Sequence, residues 1–223
     1  MFISIHIPKT AGTTIAYILD YGLNRRILYD YKEDYAADPP TEYLLRHKEF
    51  IEDHFDVIHG HFRYKKYAEA FPNAQFLTTI RHPVARVVSQ YNHILNLSPE
   101  KAAWPAKEII LGKMDLVEFA SIQSIGNAQS VFLEGRGIDD YSFIFVTERL
   151  ERSLMLFQSM FGFERRDPGP PGGLPLINSG DLREKRVNPS RSELVKVYEQ
   201  TGEDNELYRK AIEWLDRLHL KMR

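Results

Sequence analysis

Short apolar runs that favour β-structure alternate along this chain with longer amphipathic stretches, and this order constrains the fold most. The runs predict strands at residues 2–7, 56–60, 75–80 and 142–147. Helices are predicted at residues 13–22, 41–54, 83–95, 105–135, 148–162 and 189–220. This alternation predicts an α/β domain with three layers, in which a central parallel sheet of about 4–5 strands is flanked by helices.

The chain is long enough to bury a sizeable core in one domain. It has 223 residues, of which 43% are hydrophobic, as is typical of a globular protein. A stretch rich in proline and glycine at residues 165–181 predicts a mobile connection. Because too little chain follows it to build a second core, we predict a single domain over residues 1–223.

Charge and cysteine content exclude several classes of protein. The formal net charge is −2, so no global field attracts nucleic acid, and an anion site must be built locally. The chain has no cysteine, which excludes a disulfide framework and a thiolate metal site. No apolar run approaches the roughly 20 residues of a membrane span, and the first residues lack the basic start of a signal peptide. We therefore expect a cytoplasmic protein without a nucleic-acid partner.

The segment PKTAGTT, residues 8–14, joins the first strand to the first helix and is dense in anion-binding groups. The backbone N–H groups of Gly12, Thr13 and Thr14 open the helix, whose positive end favours an anion. Further donors are the Lys9 ammonium and the hydroxyls of Thr10, Thr13 and Thr14. The alternative is an ordinary strand-to-helix turn with a threonine N-cap.

The same loop departs from the G-x-x-x-x-G-K-[ST] pattern of nucleoside triphosphatases. With Gly12 as the second glycine, Ile7 occupies the place of the first glycine and Thr13 that of the lysine. The layout of a phosphate loop is therefore kept, but the features that hold the γ-phosphate of ATP are missing.

A second anion anchor is predicted after the third strand. Arg81 ends that strand, and Ser89 follows about two turns into a helix whose first turn contains Pro83. Both side chains can point to one anion near the strand end, and the planar guanidinium donates in pairs. Arg86 is expected to face solvent.

The segment HIPKTAGTT, together with Arg81 and Ser89, resembles the sulfotransferases that use 3′-phosphoadenosine 5′-phosphosulfate (PAPS). It is most similar to the heparan sulfate 2-O-type carbohydrate sulfotransferases and their bacterial relatives. The resemblance implies a P-loop-like fold, PAPS as donor, the desulfated nucleotide PAP as product and no metal. It also implies a hydroxyl-bearing acceptor, a sugar or glycan. The PAPS-binding residues that it implies are Lys9, Thr10, Ala11, Gly12, Thr13, Thr14, Arg81 and Ser89.

The catalytic base is suggested by His59 and His61, which follow the second predicted strand as His-Gly-His. The 2-O-sulfotransferases carry a similar pair, so the resemblance implies His61 as principal base with His59 beside it. A hydroxyl that attacks sulfur must lose its proton, and histidine titrates near neutral pH. Lys9 would neutralise the leaving oxygen. His6 is expected to be a buried, hydrogen-bonded structural residue, and metal ligation is the alternative for the pair.

Further candidates are less specific. Asn127 and Gln129 resemble a family segment near the acceptor or nucleotide, and Glu148 and Arg149 are expected to cap a helix and pair structurally. A basic cluster resembles the loop that closes over the 3′-phosphate, although a solvated charge cluster is an equal alternative; it comprises Arg183, Lys185 and Arg186. Acceptor anions are the hypothesised ligands of Arg63, Lys65 and Lys66.

Two other functions stay open. A nucleotide or nucleoside kinase would need an ATP loop and magnesium, which the loop sequence argues against. A non-catalytic module would bind PAP or a glycan and would not depend on His61. The oligomeric state cannot be read from the sequence, and the acceptor is expected to contact loops at residues 96–115 and 165–182.

Overall fold

A computed structural model describes residues 1–22, 25–31, 41–162 and 185–222. Its centre is a parallel sheet of five strands in the order β2-β3-β1-β4-β5. The strands are β1 (Phe2–Ile5), β2 (Ile27–Asp30), β3 (Val57–Gly60), β4 (Gln75–Ile80) and β5 (Phe143–Val146). The predicted α/β class and parallel sheet are confirmed.

Strand β2 was not predicted from the sequence. Its four residues, ILYD, lie at the edge of the sheet and are only partly buried. A partly exposed edge strand of this length lacks the continuous apolar run by which the buried strands are recognised.

Helices cover both faces of the sheet. Those before β5 are α1 (Gly12–Tyr17), α2 (Thr41–Arg46), α3 (Lys48–His54), α4 (Lys65–Ala68), α5 (Pro83–Ile94), α6 (Ala106–Ile110), α7 (Leu116–Ser121), α8 (Gln123–Gly126) and α9 (Ala128–Leu133). After β5 come α10 (Leu150–Phe161), α11 (Arg191–Gln200) and α12 (Gly202–Lys221). A π-helical turn, Ile18–Gly22, continues α1, and 3₁₀ turns lie at Pro99–Lys101, Ile138–Asp140 and Thr147–Arg149. The segment 105–135, predicted as one or two helices, thus forms four short ones.

Alternate residues of the strands pack into two different hydrophobic layers. Ile3, Ile58 and Ile144 face a layer that includes Tyr67 and Phe71, which come from α4 and the turn after it. The other face of the sheet packs against α1, α10 and α12 through Phe2, Val57, Leu77, Phe143 and Phe145. This second face is the one that continues into the polar residues at the carboxyl edge of the sheet. Within the described part of the chain, no helix combines the length and apolarity of a membrane span.

Candidate active site

The loop between β1 and α1 has a backbone that is uncommon for its residues. Lys9 has φ 71° and Ala11 has φ 68°, both in the left-handed region, where non-glycine residues are infrequent. Each such residue costs on the order of 1 kcal/mol or more, and strain of this kind concentrates at ligand sites. Left-handed residues within a turn bring successive N–H groups to one side, which makes an anion-binding concavity. The loop geometry therefore supports the predicted anion site.

The threonines of this loop take different positions. The Thr10 hydroxyl is fully buried and donates to the Ile7 carbonyl oxygen (2.8 Å), so the prediction that it donates to an anion is corrected. Thr14 is also buried, whereas Thr13 is exposed at the first turn of α1. Thr13 is therefore the loop hydroxyl that the structure leaves most accessible to a ligand.

The absence of a side chain at Gly12 makes room for the ring of His6. A Cβ atom at Gly12 would lie 1.9 Å from Cδ2 of His6 and 2.1 Å from its Nε2. The His6 ring therefore occupies the space under the start of α1, and any larger residue at position 12 would clash with it. His6 is buried and hydrogen-bonded, as expected from the sequence.

Two rows of polar side chains cross the sheet from β1 through β3 to β2. In the first row, His59 Nδ1 hydrogen-bonds to Ser4 Oγ (2.9 Å), and Tyr29 is paired with His59 in the strand register.

The second row lies two residues further along each strand and consists of His6, His61 and Tyr31. The sheet hydrogen bonds continue there, from His6 N to the Gly60 oxygen (2.8 Å) and from His61 N to the Asp30 oxygen (3.0 Å). The ring centroid of His61 lies 4.3 Å from that of His6 and 4.8 Å from that of Tyr31. The parallel register therefore gathers these three side chains at the carboxyl edge of the sheet.

His61 has the geometry of a general base. Its Nδ1 lies 2.6 Å from the carbonyl oxygen of His6; since a carbonyl only accepts, Nδ1 carries the proton and the lone pair of the neutral ring is on Nε2. Burial lowers the pKa of His61, the Lys9 charge lowers it further, and the hydrogen bond to His6 partly opposes them. The ring is therefore neutral, and able to accept a proton, at pH 7.

His59 is placed differently from its predicted catalytic role. It is 1% exposed and hydrogen-bonded to Ser4 within the sheet. Burial lowers its pKa to about 3, with a further contribution from His61 and an opposing one from the Gly12 backbone. A histidine this deeply buried supports its neighbours, so the predicted catalytic role of His59 is corrected to a supporting position behind His61.

Arg81 lies at the carboxyl end of β4 and reaches the phosphate loop. Its Nη1 donates to the carbonyl oxygen of Lys9 (3.0 Å), so the two predicted anion anchors are joined directly. Ser89 is half-buried on α5. The guanidinium is therefore held against the loop, as a shared anion site requires.

The prediction that Arg86 faces solvent is wrong, and Asn127 and Gln129 have partners within the protein. Arg86 does not face solvent, because it is fully buried and donates to Gln90 Oε1 (2.7 Å) and to the Ile125 carbonyl oxygen. Asn127 and Gln129 are buried among the helices, where they hold backbone groups of Asp204 and Arg81. Neither amide is placed to contact an acceptor.

The basic segment after the proline- and glycine-rich stretch is described from Lys185 onwards; Arg183 and the stretch at 165–181 lie outside the described residues. Lys185 and Arg186 are exposed. Two asparagines hold this segment, Asn92 on α5 and Asn96 just after its end. Asn96 bonds both backbone groups of Lys185 (3.2 and 2.9 Å), and Asn92 Oδ1 accepts from Val187 N (2.8 Å). The segment therefore runs along the helix that carries Ser89.

The cations after His61 divide into two groups. Lys66 is buried in an ion pair with Asp30 (2.6 Å), so the prediction that it contacts an acceptor is wrong. Lys65 is exposed and pairs with Glu134 (3.0 Å), and Arg63 is half-buried. Within the described residues, no group of three or more His, Asp or Glu side chains is arranged to hold a metal ion.

Glu148 and Arg149 are structural, as predicted, although the cap lies on another helix. Glu148 Oε1 accepts from His82 N at the start of α5 (3.0 Å), and Arg149 pairs with Asp216 (2.7 Å). The sequence reasoning missed Ser4, which lies on the central strand β1, and Tyr29 and Tyr31, which lie on and just after the edge strand β2.

The region of the chain that carries the loop, Arg81 and His61 matches a known family. The model of the Sulfotransferase family matches residues 1–126, which include all three. The chain belongs to this family. A search of curated proteins finds no significant match.

Two solved structures are similar to the chain. The crystal structure of mouse sulfotransferase SULT7A1 complexed with PAP has 10% sequence identity and a TM-score of 0.45, over 74% of this chain and 60% of that chain. A sulfotransferase from Alicyclobacillus acidocaldarius has 15% identity and a TM-score of 0.41, over 93% and 98% of the two chains. The chain thus spans about three fifths of the mouse protein's chain.

Proposed function

We propose that this protein transfers the sulfuryl group of PAPS to a hydroxyl of a carbohydrate acceptor, with His61 as the base. The observation that carries the proposal is the hydrogen bond from His61 Nδ1–H to the His6 carbonyl, which directs the basic lone pair of His61 to Nε2 beside the phosphate loop. Family membership and the link between Arg81 and Lys9 support the donor.

The residues of the loop fit an anionic donor. The strained backbone at Lys9 and Ala11, together with the accessible hydroxyl of Thr13, supplies donors for a phosphosulfate. Arg81 would hold the 3′-phosphate, with Ser89 on the adjacent helix and the segment at Lys185 and Arg186 beside that helix. PAPS, when bound, supplies an activated sulfuryl group.

The transfer needs one proton acceptor and one charge stabiliser. Nε2 of His61 takes the proton of the acceptor hydroxyl while the oxygen forms its bond to sulfur. The bond from sulfur to the bridging oxygen of the donor breaks, and the charge on that oxygen is stabilised by the Lys9 ammonium. The products are the sulfate ester, PAP and a protonated histidine that returns its proton to solvent.

A carbohydrate acceptor is supported by aromatic side chains next to the base. Tyr29 and Tyr31 are 48% and 41% exposed, with ring centroids 6.2 Å apart and planes 25° apart. Hydrogen bonds fix both rings, from Tyr29 to Asp20 (3.4 Å) and between Tyr31 and His6 (2.8 Å). Rigid, exposed tyrosines present apolar ring surface with polar edges, which suits the face of a sugar ring.

The test is a transfer assay with PAPS and a panel of neutral and acidic glycans, in which both PAP release and the sulfated product are measured. We expect stoichiometric PAP and sulfate ester without added metal. Binding of PAP with no turnover of any glycan or simple alcohol would favour the non-catalytic module. Transfer of phosphate from ATP–Mg²⁺ would favour the kinase and contradict the proposal.

A further inference from the structure

A set of buried polar side chains lies behind the anion site, among α5, α9 and α12. Gln129, Asp204 and Arg86 are each 0% exposed, and Asn127 is 5% exposed. Buried polar groups cost free energy unless they are hydrogen-bonded, so their partners show what the set does.

Gln129 holds the backbone of Arg81 from both sides. The Arg81 N–H donates to Gln129 Oε1 (2.8 Å), and Gln129 Nε2 donates to the Arg81 carbonyl oxygen (3.0 Å). Arg81 is the first residue after β4, so it has left the hydrogen-bonded ladder of the sheet. One side chain therefore replaces the ladder at the residue whose guanidinium reaches the phosphate loop.

Asp204 in turn holds Gln129. Its carboxylate accepts from Gln129 N (3.1 Å) and Ser130 N (2.7 Å) at the start of α9, where an anion is favoured by the free N–H groups. The Asn127 side chain accepts from Asp204 N (3.1 Å), which joins the starts of α9 and α12 reciprocally. The buried guanidinium of Arg86 lies opposite, with its Nε 4.0 Å from Asp204 Oδ2.

The contacts separate a positioning role from simple packing of helices. The Asn127 side chain hydrogen-bonds to groups of the neighbouring helices and turns, namely Gln123, Gln200 and Asp204. The amide of Gln129, by contrast, hydrogen-bonds to both backbone groups of Arg81, the residue whose guanidinium reaches the loop after β1. The two amides are close in sequence, similar in burial and different in target.

We infer that Gln129, held by Asp204, is a positioning residue for Arg81, and that it sets the preference of the site for a nucleotide with a 3′-phosphate. The inference rests on the proposed function, because it requires Arg81 to bind that phosphate. Without the Gln129 amide, the strand end that carries the guanidinium loses these two hydrogen bonds, and a bidentate contact tolerates little misplacement.

The test measures the affinities of PAP and adenosine 5′-phosphate, which lacks the 3′-phosphate, by calorimetry. Gln129→Met keeps the length of the side chain and removes both hydrogen bonds. We expect it to weaken PAP binding roughly five- to thirtyfold and to leave the affinity for adenosine 5′-phosphate within about twofold. Asn127→Leu is the matched control, which should lower stability without changing the ratio of the two affinities.

The same titrations in an Arg81→Ala background test whether Gln129 acts on PAP binding through Arg81. There, Gln129→Met should have no further effect on PAP binding, because coupled residues are non-additive. Unchanged preference for PAP in Gln129→Met, or an additive effect in the double variant, would overturn the inference. If Gln129→Met fails to fold, Gln129→Glu, which retains the acceptor for Arg81 N–H, takes its place under the same criteria. A wild type with no preference for PAP would overturn the proposed function itself, and this inference with it.

Discussion

The two halves of the sheet's carboxyl edge differ in how they handle charge. On the side of β1, β3 and β2, the buried histidines are neutral because burial lowers their pKa values, and the buried charges of Lys66 and Asp30 are paired with each other. On the side of β4, the buried groups include a guanidinium and a carboxylate, Arg86 and Asp204, surrounded by backbone and amide partners. The first half suits a base that must accept a proton, and the second suits cations that must stay charged to bind an anion.

The difference comes from where the partners lie in the fold. The side chains of His59 and His61 each make a single hydrogen bond to β1 or to the residue just after it, namely Ser4 Oγ and the His6 carbonyl oxygen. The packed strands around them exclude water. The Arg86 and Asp204 side chains instead lie among helix ends, where several N–H and C=O groups are available. One sheet edge thus places a desolvated histidine and a supported arginine within the same site.

The largest effect that tests this comparison is expected from His61→Ala. Loss of a general base should lower kcat by roughly 10²- to 10⁴-fold, while PAP affinity changes little because Arg81 and the loop remain. His54→Ala, an exposed histidine on α3, is the control. A fall in PAP affinity equal to the fall in kcat would show that the two halves are not separable.

Arg86→Met tests the β4 side of the edge, because the substitution should lower the free energy of unfolding. Removing one partner of a buried ion pair leaves the other charge uncompensated and typically costs about 3–5 kcal/mol; we expect the lower end here, because Asp204 keeps its two N–H donors. Urea denaturation measures the change. Arg209→Met, in exposed pairs with Glu206 and Glu213, should have a small effect. Equal effects of the two substitutions would contradict the structural role of Arg86.

The neutral half predicts a specific dependence of stability on pH. The folded pKa values of His6, His59 and His61 lie below the unfolded value of about 6.5. The unfolded chain therefore binds more protons below this pH, and the free energy of unfolding falls as pH decreases. Each proton difference contributes about 1.4 kcal/mol per pH unit. Denaturation at pH 7.5 and pH 5.0 should show this loss, and equal stabilities would contradict the neutral cluster.

Tyr31→Ala is expected to have the smallest effect and concerns the acceptor. Loss of the ring should raise the KM for a glycan by about two- to tenfold, in line with about 0.5–1.5 kcal/mol for an aromatic contact, without changing PAP affinity. Tyr31→Phe, which keeps the ring and loses the bond to His6, separates stacking from positioning. An unchanged glycan KM in Tyr31→Ala would remove the aromatic support for a carbohydrate acceptor.

What the sequence predicts well is local. The loop from Lys9 to Thr14 and the end of β4 at Arg81 are recognisable because their groups lie close together in the sequence and follow buried strands. Arg86 looked like a surface residue because Asp204, which faces it, comes from a helix near the other end of the chain. Gln129 resembled a ligand residue by its motif, whereas its target is the backbone of Arg81, which only the tertiary structure reveals. Strand β2, which carries Tyr29 and leads into Tyr31, escaped prediction because it is a partly exposed edge strand without a continuous apolar run.

Calorimetric titration of PAP and of ATP–Mg²⁺ into the wild type and Arg81→Ala tests the central claim most directly. We expect PAP binding without metal in preference to ATP–Mg²⁺, and a loss of roughly ten- to a hundredfold in PAP affinity on removal of the guanidinium. Preference for ATP–Mg²⁺, or PAP affinity that does not depend on Arg81, would contradict it.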